Sequence, residues 1–349
     1  MNRRCTKRLT VHHTVVKTGE GVSLRENDFA FAVGRVRVLE TRLLDSGKFE
    51  RMLEARDAEE VLRILGETEY AQAFAAVKNQ NDYEAVLDYE RHRVFELVRI
   101  LLAPERKIAD LYFLRFDLHN LKVLLKAEMT SMTPEGLADE GVFGPQRLQA
   151  MISGTGVDSE KAPDYLAQWI ERGRQAKASG DPQAIDLALD GAFYRFAAET
   201  ARKEKWGVLE RYWIGLIDLT NVVSTVRCRR MATGADFLRT VLLDGGIIPA
   251  KEFLAFYDQS AESFAHFLEL HGYGRLFSGK ETLTSPAAFE NAASNYLRQL
   301  IADAGQSFVI GPEPVFAYLL AKENEIRKTR IIIVGKLNGI PREILRERL

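Results

Sequence analysis

Arg115-Phe-Asp-Leu-His-Asn-Leu-Lys-Val-Leu-Leu-Lys126 returns later in the chain as Leu216-Ile-Asp-Leu-Thr-Asn-Val-Val-Ser-Thr-Val-Arg227, with Asp117 and Asp218, and Asn120 and Asn221, both 101 residues apart. Both stretches carry apolar groups at spacings of three and four, the period of a helix with a buried face. A weaker third version, Ala321-Lys-Glu-Asn-Glu-Ile-Arg327, aligns Glu325 with Asn221 at an offset of 104 and lacks the Asp and Asn at the matching places. Lys48-Phe-Glu-Arg-Met-Leu53 recurs two periods on as Lys251-Glu-Phe-Leu-Ala-Phe256, and Tyr70-Ala-Gln-Ala-Phe74 as Tyr273-Gly-Arg-Leu-Phe277. Leu87-Asp88 and Leu189-Asp190 add an offset of 102. Self-similarity at a fixed period outranks local propensity in setting fold class. It implies an all-α array of three pseudo-symmetric helical repeat units, over 27–132, 133–234 and 235–349.

Working outward, Phe29, Val33, Val36, Leu39 and Leu43/Leu44 predict a long amphipathic helix over Phe29–Leu44. Short helices follow around Phe49–Leu53 and Ala58–Leu65, the second suited to capping by Asp57. The prolines fall mainly between periodic segments, where a missing N–H does least harm. Arg330-Ile-Ile-Ile-Val334 has strand propensity, yet helical spacing runs from Phe316 to Leu337, and Asn338-Gly339 with Pro341 reads as a helix stop and restart. Residues 1–26 carry Arg3, Arg4, Lys7, Arg8, Lys17 and Arg25 against Glu20 and Glu26, and are expected to form a disordered basic tail.

Composition removes several function classes. With 46% hydrophobic residues, disorder of the whole chain is excluded. Lys+Arg 48 against Asp+Glu 49 leaves no basic footprint for nucleic acid. Cys5 and Cys228 form no CxxC pair, which fits a reducing, cytoplasmic setting and offers no thiolate metal site. Apolar runs such as Val94–Ala103 and Ile331–Val334 are too short to span a bilayer. Basic groups exceed acidic ones in 322–349 as in the tail, which leaves the middle of the chain acidic, a polarisation suited to orienting docking between proteins.

Catalytic chemistry finds little support. Gly274-Arg-Leu-Phe-Ser-Gly279-Lys280 matches a phosphate loop as far as GxxxxGK, but Glu281 stands where Ser or Thr would hold magnesium, and the preceding stretch is helical rather than a strand. His12 and His13 lack companions, and His92, His119, His266 and His271 lack HExxH spacing, so no metal centre is expected. Cys228, between Arg227 and Arg229, has no partner that would make it a nucleophile. Trp169, Trp206 and Trp213 sit at apolar spacings and read as packing residues. Asp117 with Asn120, and Asp218 with Asn221, each share a helix face at i, i+3 and read as repeat-fixing pairs that cap or hydrogen-bond a neighbouring helix.

The same segments resemble a known family. Ala30-Phe-Ala-Val-Gly-Arg-Val-Arg-Val-Leu-Glu-Thr-Arg-Leu-Leu44, Leu65-Gly-Glu-Thr-Glu-Tyr70, Phe116-Asp-Leu-His-Asn-Leu-Lys122, Phe316-Ala-Tyr-Leu-Leu-Ala-Lys-Glu-Asn-Glu-Ile-Arg327 and Gly335-Lys-Leu-Asn-Gly-Ile-Pro341 are similar to stretches of the C subunit of the prokaryotic V/A-type rotary ATPases and ATP synthases, the counterpart of the d subunit of eukaryotic V-ATPases. The resemblance runs from about Asp28 to Leu349. It implies a funnel-shaped helical fold and a non-catalytic rotor subunit without cofactor or metal. The partners it implies are the membrane proteolipid ring and the central-shaft subunits, at the cytoplasmic face of the membrane and without a transmembrane segment of its own. Arg35, Arg37, Glu323, Glu325, Arg327 and Lys336 are the partner-contact candidates, on the Phe29–Leu44 helix and the C-terminal helices. A stand-alone helical-repeat scaffold and a nucleotide-dependent enzyme using the 274–280 loop are the alternatives.

Overall fold

In a computed structural model the described residues are 24–79, 81–154, 162–277 and 286–349. Every regular element among them is a helix. Helix α1 (Leu24–Glu40) is followed by the short α2 (Ser46–Glu54), α3 (Ala58–Gly66) and α4 (Ala71–Ala76). Then come α5 (Tyr83–Leu101), α6 (Arg106–Thr130), α7 (Pro145–Ser153), α8 (Asp164–Lys177), α9 (Pro182–Glu204) and α10 (Val208–Met231). The chain continues through α11 (Ala235–Val241), α12 (Ala250–Ala255), α13 (Ala261–Leu268), α14 (Pro286–Ser307), α15 (Glu313–Leu337) and α16 (Arg342–Arg348).

Local chemistry explains the boundaries. Asp45, Asp57, Asp82 and Asp181 cap α2, α3, α5 and α9, each accepting a first-turn backbone N–H that has no partner inside the helix. Pro145 and Pro182 sit in first turns, and Pro163, Pro249 and Pro341 immediately precede helices, where a proline costs no hydrogen bond. The Arg330–Val334 run is helical inside α15, as the spacing implied; Ile332 and Ile333 are fully buried, and packing outweighs their strand propensity.

Two expected boundaries move. Helix α1 begins at Leu24, inside the stretch read as tail, and residues 1–23 lie outside the described residues. It also ends at Glu40 rather than Leu44: Arg42 and Leu43 bond carbonyls three residues back, and the Leu44 N–H meets the Glu325 carboxylate at 2.5 Å.

The six longest helices among the described residues form a closed circuit of neighbours. Helix α9 packs against α6 and α10, α14 against α10 and α15, and α5 against α15 and α6. Helices α6, α10 and α15, which carry the repeated motif, meet in their first two turns. There Phe316 receives Tyr112 and Tyr212 edge-on, with ring centroids 5.4 and 5.3 Å away. One large apolar core runs from α1 through this hub to α15. A second core joins α2, α3 and α5 to Ile326, Ile332 and Ile333 of α15 and Leu345 of α16. Each such side chain removed from water contributes roughly 1.5–3 kcal/mol.

Candidate functional site

The repeated polar pairs are clamps on the loop that follows each motif helix. Asp117 on α6 accepts from the backbone N–H groups of Val142, Phe143 and Gly144, at 2.5, 3.1 and 3.2 Å, just before α7. One turn on, Asn120 donates to the Ala138 carbonyl and accepts from the Ala138 N–H. In α10, Asp218 accepts from Ile247, Ile248 and the Tyr273 hydroxyl, and Asn221 closes the same two-way bond with Leu243. All four side chains are buried. Burial raises both carboxyls above the ordinary aspartate value, and the N–H donors, with Tyr273 in the second case, oppose it.

Two further residue types complete each clamp, and sequence reasoning did not single them out. Arg99 of α5 donates to the carbonyls of Glu140 and Gly141, and Arg202 of α9 donates to those of Gly245 and Gly246. Gly141 and Gly246 lie so close to the Asp117 and Asp218 carboxylates that a Cβ at either place would overlap an oxygen. The signal was present in the sequence: Arg99 and Arg202 are 103 apart, Gly141 and Gly246 are 105 apart.

The third clamp uses different chemistry. Lys322 and Glu325 of α15 take the places of Asp218 and Asn221, and Glu325 accepts the N–H of Leu44. The Lys322 ammonium lies 2.6 Å from Glu325 and 2.8 Å from Glu90 of α5, and Arg93 grips Glu90 through two nitrogens at 2.8 and 2.9 Å. Glu90, Lys322 and Glu325 are 0%, 2% and 4% exposed, so the charges survive only because each is matched. Burial alone would lower the Lys322 pKa; Glu325 and Glu90 more than offset it and hold it above the ordinary lysine value.

The clamped loop here is the one after α1, so this cassette is assembled from opposite ends of the chain. That accounts for the doubled sequence offset. Tyr273 bonds Asp218, and its counterpart Tyr70 lays its ring 4.5 Å from the Lys322 ammonium. Helices α2 and α3 pack on α15, while the clamps of α6 and α10 reach across 132/133 and 234/235.

The partner-contact candidates are scattered. Arg35 is exposed on α1. Arg37 bonds Glu40 and the Gly305 carbonyl, Lys336 bonds the Leu53 and Ala55 carbonyls at the end of α2, and Glu325 is inside the clamp. Glu323 and Arg327 line a cavity of about 390 Å³ between α5, α6, α10, α14 and α15, with Arg91, Arg115, Arg298 and Arg330. Glu323 pairs with Arg115 and accepts from Tyr112. Gly279 and Lys280 of the GxxxxGK match lie outside the described residues, as do Cys5, His12 and His13. Cys228, Trp169 and Trp213 are buried. Among the described residues no group of three His, Cys, Asp or Glu side chains is placed to hold a metal, and no helix is long and apolar enough to cross a membrane.

Such a site contains matched clamps and a basic cavity. The family described as ATP synthase (C/AC39) subunit matches residues 32–348. The C subunit of the V-type sodium ATPase of Enterococcus hirae is 31% identical over 318 residues, covering 90% of this chain and 95% of that protein. The C subunit of the V-type ATP synthase of Deinococcus radiodurans is 25% identical over 93% of this chain and 92% of its own length. The C subunit of the A-type ATP synthase of Pyrococcus abyssi is 22% identical over 95% and 92%. With the match running nearly end to end, the chain belongs to the ATP synthase (C/AC39) subunit family.

Proposed function

We propose that this chain is the non-catalytic coupling subunit of a V/A-type ATPase or ATP synthase, seated on the membrane proteolipid ring and receiving the end of the central shaft. The observation that carries this reading is the near full-length similarity to the C subunits of both V-type and A-type complexes. The protein would sit at the cytoplasmic face of the membrane, held there by its partners. Three repeat units in a funnel-like array, fixed by Asp117, Asn120, Asp218 and Asn221, would supply a body that does not yield under torque. Densely packed interiors of this kind transmit strain rather than absorb it. Each of the two interfaces would bury about 1,600 Å² or more, apolar at the centre and polar at the rim.

The test is affinity capture of the tagged chain from gently solubilised membranes, with copurifying subunits identified and counted by mass. One copy per proteolipid ring, together with shaft subunits, is the expected result. Recovery without ring or shaft, under conditions that keep other membrane complexes intact, would overturn it in favour of a stand-alone helical scaffold.

A further inference from the structure

The cavity beside the aromatic hub carries charge that the chain itself does not neutralise. Arg115 is matched by Glu323, Arg330 by Glu84 and Asp88, and Arg91 by Asp88 and Glu140. Arg298 of α14 and Arg327 of α15 have no carboxylate partner among the described residues. Each instead donates to an asparagine three residues earlier on its own helix, Asn295 and Asn324. That arrangement orients a guanidinium without cancelling its charge. Lys328 stands beside them on the same helix as Arg327, lining the adjoining cavity that shares Arg298 and Asn324.

Holding these cations together is costly. Burial, and then the nearby Arg327, push the Arg298 guanidinium down to about 10, and burial lowers Arg327 as well. Lys328 is lowered by burial and by both arginines. A free protein gains nothing from two half-buried like charges, whereas an incoming anion would relieve the repulsion. The walls beside them are Leu216, Leu297, Leu320 and Ile326, with the Tyr212 ring, which suit the aliphatic stem of an acidic side chain better than a bare phosphate. The planar guanidinium matches a carboxylate through two parallel bonds.

We propose that Arg298 and Arg327 are the receiving site for carboxylate side chains of an acidic protein segment, the shaft end of the coupling reading, on which this inference rests. The pair trades stability of the free chain for affinity in the complex.

The experiment compares the full chain with Arg298→Gln/Arg327→Gln and Arg298→Lys/Arg327→Lys. Two quantities are read: the melting temperature of the isolated chain, and its titration with purified shaft subunits at low and high salt. The glutamine variant should melt higher than the parent yet bind the shaft about tenfold or more weakly, with a flatter salt dependence. The lysine variant should recover part of the binding. Unchanged affinity and salt dependence in the glutamine variant would overturn the inference while leaving the coupling reading intact; a lower melting temperature would show an internal structural role and also overturn it. If the parent itself fails to bind the shaft at low salt, the coupling reading falls. Saturable stabilisation by inorganic phosphate at fixed ionic strength, lost in the glutamine variant while shaft binding is kept, would assign the site to a free anion instead.

Discussion

The Glu325 carboxylate accepts the Leu44 backbone N–H at 2.5 Å, joining positions 281 residues apart in sequence. The first loop of the described chain is thereby fastened to its last long helix. Removing the carboxylate would leave the Leu44 N–H and the Lys322 ammonium each short of a partner. Glu325→Ala is expected to lower stability by about 3–5 kcal/mol, the range for breaking a buried charged pair. A urea titration gives the loss, and hydrogen exchange at Leu44 should quicken in step with it.

Lys322 is expected to contribute to the alkaline limb of stability. Its folded pKa lies above the ordinary 10.5, so its contribution is fully present below that value and is lost as pH rises through the higher folded value. Tyr70, raised well above 10.0 by burial and then by Glu325 and Glu90, acts in the same direction. Urea midpoints should therefore fall above about pH 10.5. Lys322→Met should be less stable by about 3–5 kcal/mol at neutral pH and should show a shallower alkaline decline. An equally steep decline would mean that Lys322 does not contribute to it.

Glycine at 141 and 246 is required by the aspartates that face it. Gly141→Ala and Gly246→Ala should each cost about 1–3 kcal/mol, since the added methyl meets a carboxylate that is itself held by backbone donors. A double-mutant cycle between Gly246→Ala and Asp218→Ala should give a combined loss smaller than the sum. Simple additivity would place the strain elsewhere.

Asn120 and Asn221 each serve as donor and acceptor to one loop residue. An aspartate keeps the acceptor but turns an oxygen toward the Ala138 or Leu243 carbonyl. Asn120→Asp and Asn221→Asp should each destabilise by about 1–3 kcal/mol, measured by urea denaturation. The loss should be smaller at low pH, where the new carboxyl can be protonated and donate.

Much of this architecture was legible in one sequence. The helical period survived the Ile331-Ile-Ile run, and the 101-residue offset alone marked Asp117, Asn120, Asp218 and Asn221. Asp57 declared itself as a cap by chemistry alone. Cyclic closure was not legible, because the segment docking on α15 comes from the other end of the chain and sequence order carries no record of that contact. The apolar spacing continues to Leu44, but the backbone tightens after Glu40, where Arg42 and Leu43 bond carbonyls three residues back, and that local turn leaves no mark in the spacing. Arg298 was invisible as a special residue, since what distinguishes it is that, among the described residues, no carboxylate pairs with it and it bonds Asn295 instead.

The most direct measurement is ATP-driven ion transport by the complete complex in proteoliposomes, prepared with and without this chain, with ATP hydrolysis followed in the same samples. The account predicts that omission abolishes transport while hydrolysis by the remaining catalytic subunits continues, and that adding the purified chain back restores transport. Undiminished transport without the chain would contradict it.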